Sequence, residues 1–161
     1  MPKQIIPFSD FVAAAGAEHV DFIARLDAYL RENNCIAKLK TAANGYVVSY
    51  LHKPTKRTVA NYIFRKNAPM LRVYADNIRL YEGITAHWPD AMKHAIKQGG
   101  NCSRLANPAA CNSRCLGGLD FVLEGERQQK CRCHMSFAFF LDDETKPHLL
   151  EIMEREMSAR T

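Results

Sequence analysis

Five of the six cysteines of this chain lie between Asn101 and His134, in a stretch that reads NCSRLANPAACNSRCLGGLDFVLEGERQQKCRCH. Thiolates are soft, charged donors, and a structural zinc ion takes four Cys or His ligands in a tetrahedron. We therefore predict a structural zinc site in a cysteine-rich subregion, residues 100–134. The predicted metal ligands are Cys102, Cys111, Cys115 and Cys131, with Cys133 as the first alternate and His134 as the second.

Clustered cysteines also fit chemistry besides zinc ligation. The spacing lacks the two C-x2-C knuckles of a standard zinc finger. Iron–sulfur ligation also uses four thiolates, although the C-x2-C-x2-C run of bacterial ferredoxins is absent. Disulfides and reactive thiols are further alternatives, of which disulfides are disfavoured in a reducing compartment. Cys35 stands apart from the others and is predicted to be a small core residue.

Motifs of nucleotide-binding and hydrolytic enzymes are missing from the chain. It contains no G-x-G-x-x-G, no Walker loop, no G-x-S-x-G elbow and no H-E-x-x-H helix. The sequence therefore favours a ligand-binding or partner-binding module over an enzyme. A thiol-dependent enzyme or a metal-handling protein is the alternative that the cysteines leave open.

Positive charge is concentrated in residues 36–75, which contain no Asp or Glu, whereas the whole chain carries a net charge of +5. The region contains eight cations: Lys38, Lys40, Lys53, Lys56, Arg57, Arg65, Lys66 and Arg72. Such asymmetry indicates an anionic ligand or nucleic acid, or simply a solvated sheet face. Tyrosine and phenylalanine rings interleave with these cations and could stack on bases, or could pack the sheet: Tyr46, Tyr50, Tyr62, Phe64 and Tyr74.

The elements that would position these residues follow from the hydrophobic period. Residues 9–33 have a helical period broken near Gly16. Residues rich in β-branched and aromatic side chains then predict strands over 45–51, 57–64 and 70–75, with a shorter strand at 36–39. A helix is predicted after Trp88-Pro89, a hairpin over 119–132, a strand over 135–141, and a final helix after Thr145.

Grouped strands favour an α+β fold over a doubly wound α/β fold. We predict an antiparallel β-meander sheet flanked by helices, followed by a cysteine-rich, zinc-type loop and a C-terminal hairpin plus helix. The length and the 47% apolar content are typical of one soluble domain, residues 1–161. No apolar run approaches the roughly 18 residues of a membrane span. We therefore expect a cytoplasmic protein with no membrane partner.

The cysteine segment and the helix after it resemble a set of small, uncharacterised bacterial proteins. The residues that carry the resemblance are Asn101-Cys102, Asn107-Pro108-x2-Cys111-Asn112-x-Arg114-Cys115 and Gln129-Lys130-Cys131-Arg132. The resemblance implies a set of four cysteines at positions 102, 111, 115 and 131, with Cys133 as an extra thiol. Over about residues 20–98, the element order resembles the YdhG-like domains of unknown function, an α+β family that includes frataxin-like iron chaperones. The resemblance implies no catalytic residue.

Overall fold

The computed structural model describes residues 4–132 and 137–160 of the chain. These residues form two compact units. The first unit comprises the described residues up to Val73 together with residues 140–142, and the second comprises the described residues of 74–139 and 143–160. No helix in the described part of the chain is long and apolar enough to cross a membrane.

The first unit begins with two helices, α1 (Phe8–Ala15) and α2 (Val20–Glu32), separated by a single 3-10 turn at Ala17–His19. The predicted break at Gly16 is confirmed, because its φ of 114° lies in a region that residues with a side chain rarely adopt. Four residues of the predicted apolar face of α2 are buried: Phe22, Ile23, Leu26 and Leu30. The helix ends at Glu32, before Asn34 with a φ of 65°.

A meander of four antiparallel strands follows α2. The strands are β1 (Cys35–Ala42), β2 (Gly45–His52), β3 (Arg57–Arg65) and β4 (Ala68–Val73). The sheet order is β1-β2-β3-β4-β7, where β7 is Ala138–Phe140, so β1 is an edge strand. Alternate residues such as Val48, Tyr50 and Tyr62 are fully buried on the face that packs into the core of this unit.

The second unit holds the rest of the chain. Two 3-10 segments, Ile78–Leu80 and Glu82–His87, precede helix α3 (Asp90–Gln98) and the short helix α4 (Ser103–Ala106). A separate two-stranded sheet pairs β5 (Leu119–Leu123) with β6 (Glu126–Lys130), and α5 (Lys146–Ala159) is the last helix. Its core contains a cluster of four aromatic rings: Trp88, Phe121, Phe137 and Phe139. Trp88, Phe137 and Phe139 pack edge to face with centroids 5.9–6.5 Å apart, and Phe121 packs at a tilt on Phe137 at 5.4 Å.

The predicted α+β class with an antiparallel sheet is confirmed. The strand bounds differ from the prediction where a turn uses fewer residues than expected. Lys66 and Asn67 both adopt left-handed φ angles, of 52° and 61°, so the turn takes two residues and β4 begins at Ala68. Glu124 and Gly125 also adopt left-handed φ angles, of 51° and 78°. The turn of the predicted hairpin therefore takes two residues, and β6 begins at Glu126. The predicted strand over 135–141 is observed as Ala138–Phe140, while residues 135 and 136 lie outside the described part.

Candidate functional site

Cys102 and Cys131 lie on two backbone segments that are hydrogen-bonded to each other. Cys102 N donates to Gln129 O at 2.8 Å, and Cys131 N donates to Gly100 O at 2.7 Å. These bonds flank an antiparallel bridge in which Asn101 is opposite Lys130. Because side chains alternate along extended backbone, both cysteines are on the face opposite to those two partners. They are diagonal neighbours, which in a regular ladder lie about 7–8 Å apart.

A third backbone segment, around Gly118, packs against this bridge. A Cβ atom added to Gly118 would lie 2.7 Å from Cys102 Sγ and 2.7 Å from Lys130 O, so only glycine fits without a shift. Cys115, three residues earlier, has its Sγ 4.0 Å from Gly117 O. The fold therefore brings the backbones that carry three of the four predicted ligands into one small region of the second unit.

Cys111, the fourth predicted ligand, lies in an exposed loop with a left-handed φ of 64°. Among residues 4–132 and 137–160, no three His, Cys, Asp or Glu side chains are arranged as they would be around a metal ion. None of the cysteines within these ranges is joined to another by a disulfide. The two alternates, Cys133 and His134, lie outside the described residues. The donor set thus suits zinc chemically, but the described side chains do not form a coordination shell.

Lys130 fixes the strand that leads to Cys131. Its side chain is buried, at 5% exposure, and its ammonium donates to Lys97 O, Gly99 O and Asn101 Oδ1 at 3.0, 3.0 and 3.1 Å. Two of these acceptors belong to the C-terminal end of α3, where a cation is favoured by the helix dipole. This lysine therefore ties the bridge of Cys102 and Cys131 to the end of α3.

A buried network of charged side chains lies next to Arg132, the residue after Cys131. Glu156 is fully buried and accepts hydrogen bonds from Asn77 N, Asn77 Nδ2 and Tyr81 OH at 2.9, 2.7 and 2.6 Å. Arg160 lies between Glu156 and Asp76, with contacts of 2.9 and 3.0 Å. Burial, and then the Glu156 carboxylate, raise the pKa of the Tyr81 phenol above its usual range.

Arg132 connects this network to the cysteine segment. Its guanidinium forms an ion pair with Asp76, and its Nε donates to Gly117 O at 2.8 Å. Two carboxylates and two guanidinium groups therefore balance one another in a site with little solvent. Since Cys131 precedes Arg132 directly, the same contacts position the Cys131 backbone.

Sequence reasoning did not find this network. The available signal was the position of Glu156, which lies three residues after Met153 and seven after Leu149, on the apolar face of α5. A charged residue at a core position of a helix requires a partner. Its partners Asn77 and Tyr81 lie more than 70 positions away in sequence, and no local pattern connects them.

The basic residues of the first unit do not form one cluster. Lys38, Ser49, Asn61 and Arg72 are register partners, which places them in one polar row across β1 to β4 on the sheet face opposite to the core. Lys53, Lys56 and Lys66 occupy the turns, and Arg57 and Arg65 lie at the ends of β3. Lys38 and Lys40 are exposed along β1.

The aromatic rings of this region are mostly unavailable for stacking on bases. Tyr50 and Tyr62 are fully buried, and Phe64 is 8% exposed. Tyr50 OH donates to Asp27 Oδ1 at 2.7 Å, and Arg31 Nε contacts the same carboxylate. Of the five rings considered in the sequence, only Tyr46 and Tyr74 have partly exposed side chains. The polar row therefore lacks the aromatic platform of a single-strand binding surface.

A groove of about 610 Å³ runs beside the edge strand β1. Residues of the N-terminal segment and of β1 line it, including Ile6, Pro7, Lys38 and Lys40. Asp10 is the acidic residue among them. The topology places no strand on the side of β1 away from β2 within the described residues.

No family model, curated protein or solved structure matches the chain.

Proposed function

We propose that the chain is a binding module rather than an enzyme, and that a structural zinc ion closes its cysteine segment. The observation that supports the metal site most directly is the bridged pair of backbones carrying Cys102 and Cys131. Thiolates on adjacent extended segments are common zinc ligands, because two side chains on one face can reach a shared ion. In this proposal Cys102, Cys111, Cys115 and Cys131 are the ligands.

Metal binding would require the loop that carries Cys111 to move toward the bridge. Two backbone hydrogen bonds of that loop are local: Ala110 N donates to Asn107 O, and Cys115 N donates to Asn112 O. The Arg104 guanidinium on α4 also donates to Asn112 O. Asn107 Oδ1 and Asn112 Oδ1 accept from backbone N–H groups two residues further along. Such turns keep their own bonds when a loop shifts as a unit, so the rearrangement acts mainly on the contact between Arg104 and Asn112.

The surroundings of Cys102 favour a ligand over a nucleophile. A cavity of about 460 Å³ adjoins this residue, and Asn101, Ser103, Ala106, Arg127 and Gln129 complete its lining. None of these lining residues can act as a general base in the way that a histidine or a carboxylate does. Arg127 is already engaged with Asp120, at 2.6 and 3.0 Å. The described lining of the cavity therefore contains no general base for the Cys102 thiol.

Elemental analysis of the purified full chain tests this proposal. We expect about one zinc ion per chain, and a thiolate-to-metal absorption band after replacement of zinc by cobalt(II). Cys102→Ser, Cys111→Ser and Cys131→Ser should each lose the metal. Cys35→Ala provides the matched control, because Cys35 is a buried cysteine of the other unit and should retain the full zinc content.

Two results would contradict the metal site. One is a folded chain that contains only trace metal and whose cysteines all react rapidly with a thiol reagent. The other is a cobalt spectrum that is unchanged in all three serine variants. If Cys111→Ser alone keeps the metal, the fourth ligand is another residue, and Cys133→Ser and His134→Ala identify it.

A further inference from the structure

Strand β1 is eight residues long and pairs with β2 on one side. On its other side it has no strand neighbour within the described residues. In an antiparallel pair, every second residue directs its N–H and C=O away from the neighbouring strand. Half of the β1 backbone groups therefore point away from β2. We propose that this edge binds an extended, acidic peptide segment of a partner protein, which adds a strand to the sheet.

Charge identifies the chemistry of the partner. Lys38 and Lys40 are exposed on the same face of β1, and no Asp or Glu occurs between residues 36 and 75. A strand added beside β1 would place alternate side chains next to these two ammonium groups, within the range of cross-strand pairs. Acidic residues at those positions would form ion pairs. Asp10, at the N-terminal end of α1, is the acidic residue that lines the groove.

The remaining side chains of such a peptide would face the inner side of β1. Leu39 and Tyr46 are on that side by the strand register, and both line the groove together with Ile6 and Pro7. This surface suits apolar side chains, whereas the outer face suits carboxylates. The expected partner sequence therefore alternates acidic and apolar residues over about eight positions, as required by the two-residue period of a strand.

A second copy of this chain is a poor occupant of the same edge. Antiparallel pairing of β1 with itself, in a register that keeps the lysine-bearing faces on one side, would place Lys38 and Lys40 of one copy opposite or diagonal to the lysines of the other. Like charges at these positions destabilise strand pairing, and edge lysines are a common device against self-association. The pattern thus disfavours a homodimer through β1 while leaving the edge available to an acidic strand.

Fluorescence anisotropy with the full chain and a labelled eight-residue peptide that alternates glutamate and valine tests the inference. We expect Lys38→Glu combined with Lys40→Glu to weaken binding about tenfold, because two attractions become repulsions. The matched control combines Lys53→Glu with Lys56→Glu, the same charge change in the exposed turn after β2, and should alter binding less than twofold. The edge variant should instead bind a peptide that alternates lysine and valine.

Backbone pairing is tested separately with two N-methylated peptides. One carries methyl groups on all glutamate amides and the other on all valine amides, so that each blocks one edge of the peptide strand. We expect one of the two to lose binding at least tenfold while the other retains it, because β1 pairs with a single edge. Equal binding of both would overturn the proposal, as would the absence of binding by the unmodified peptide. A thymidine oligonucleotide that binds as tightly, and responds equally to the β1 variant, would assign the lysines to nucleic acid instead.

This inference names the partner chemistry of the proposed binding module and rests on that role, but it does not depend on the metal. The peptide titration is therefore repeated with Cys111→Ser, which should bind the peptide as the unaltered chain does. A chain that binds the peptide but holds no zinc would refute the metal site alone. A zinc-containing chain that fails to bind the peptide would refute the edge site alone.

Discussion

Glu156 on α5 lies 2.9 Å from the Nε of Arg160, the residue that follows the last turn of that helix. Both side chains are almost completely excluded from solvent, at 0% and 3% exposure. Arg160 also reaches Asp76, which forms an ion pair with Arg132. A fully buried pair is poor proof of net stabilisation, because the ions lose their hydration. Removal of one member, in contrast, leaves the remaining charges uncompensated.

Glu156→Gln should therefore lower the free energy of unfolding by about 3 kcal/mol. The substitution keeps the shape of the side chain but leaves two guanidinium groups facing one carboxylate. Urea unfolding followed by circular dichroism measures the change. Glu154→Gln on the exposed side of the same helix is the control, and should change the stability by less than about 0.5 kcal/mol. Equal losses of stability in the two variants would contradict the idea that Glu156 compensates the charge of the buried guanidinium groups.

Two neighbouring tyrosines of the first unit should respond oppositely to loss of their hydroxyl groups. Tyr50 OH donates to Asp27, whereas the buried Tyr62 OH has no hydrogen-bond partner among the described residues. Tyr50→Phe should lower the free energy of unfolding by about 1.5 kcal/mol, since the bond involves a carboxylate. Tyr62→Phe should be neutral or slightly stabilising, because an unpaired hydroxyl is removed. A large loss of stability in Tyr62→Phe would reveal a partner for that hydroxyl.

Buried tyrosines should make the folded state less stable at alkaline pH. Burial raises the pKa of the phenols of Tyr50, Tyr62 and Tyr81 in the folded state. A raised folded-state pKa contributes stability below the unfolded-state pKa of about 10, and this contribution declines as the pH rises above that value. Ultraviolet absorbance should show that these three phenols ionise only when circular dichroism reports unfolding. Ionisation of all the tyrosines in a folded chain would contradict the burial.

Gly118 should be intolerant of any side chain. Its added Cβ would contact Cys102 Sγ and the Lys130 carbonyl, and a backbone atom cannot rotate away. Gly118→Ala should lower the stability by about 2 kcal/mol and, if the zinc site exists, reduce the zinc content. Gly83→Ala is the matched control, because a Cβ there meets nothing within 4 Å. Thermal unfolding and metal analysis of the two variants, side by side, separate a local clash from a general effect of alanine.

Glu124 forms surface ion pairs with Lys93 and Lys97, and its carboxyl group should titrate at unusually low pH. Hydrogen bonds from Lys97 and then Lys93 lower the pKa of Glu124 to about 2. A lowered folded-state pKa means that the stability from this pair is present above the ordinary carboxyl pKa and is lost as the pH falls toward 2. Carboxyl chemical shifts in NMR should therefore report a late titration of Glu124. Lys93→Gln combined with Lys97→Gln should return it toward the value of an ordinary glutamate, and high salt should act in the same direction.

The spacing of the cysteines in the sequence predicts only part of the structure of residues 100–134. The sequence predicts a loop-rich segment with thiols suited to a soft cation, and the loop and the hairpin are found where the glycines and the apolar alternation place them. Spacing could not tell which cysteines lie on adjacent backbone segments. The adjacency of the segments that carry Cys102 and Cys131 depends on the bridge between Asn101 and Lys130, and on the close approach of Gly118. These contacts join residues that are 12 to 29 positions apart.

The amino-acid sequence by itself determined the α+β class, the break at Gly16 and the strands of the meander, because periodicity and turn residues act over a few positions. Only the tertiary structure decided that β1 would be the first strand in the sheet order, that Glu156 would be buried and that Lys130 would bind the carbonyl groups at the end of α3. The physical reason is that burial and charge compensation are properties of neighbours in space. A helix or strand can form from its own residues, but a buried charge acquires its partners only when distant segments pack together.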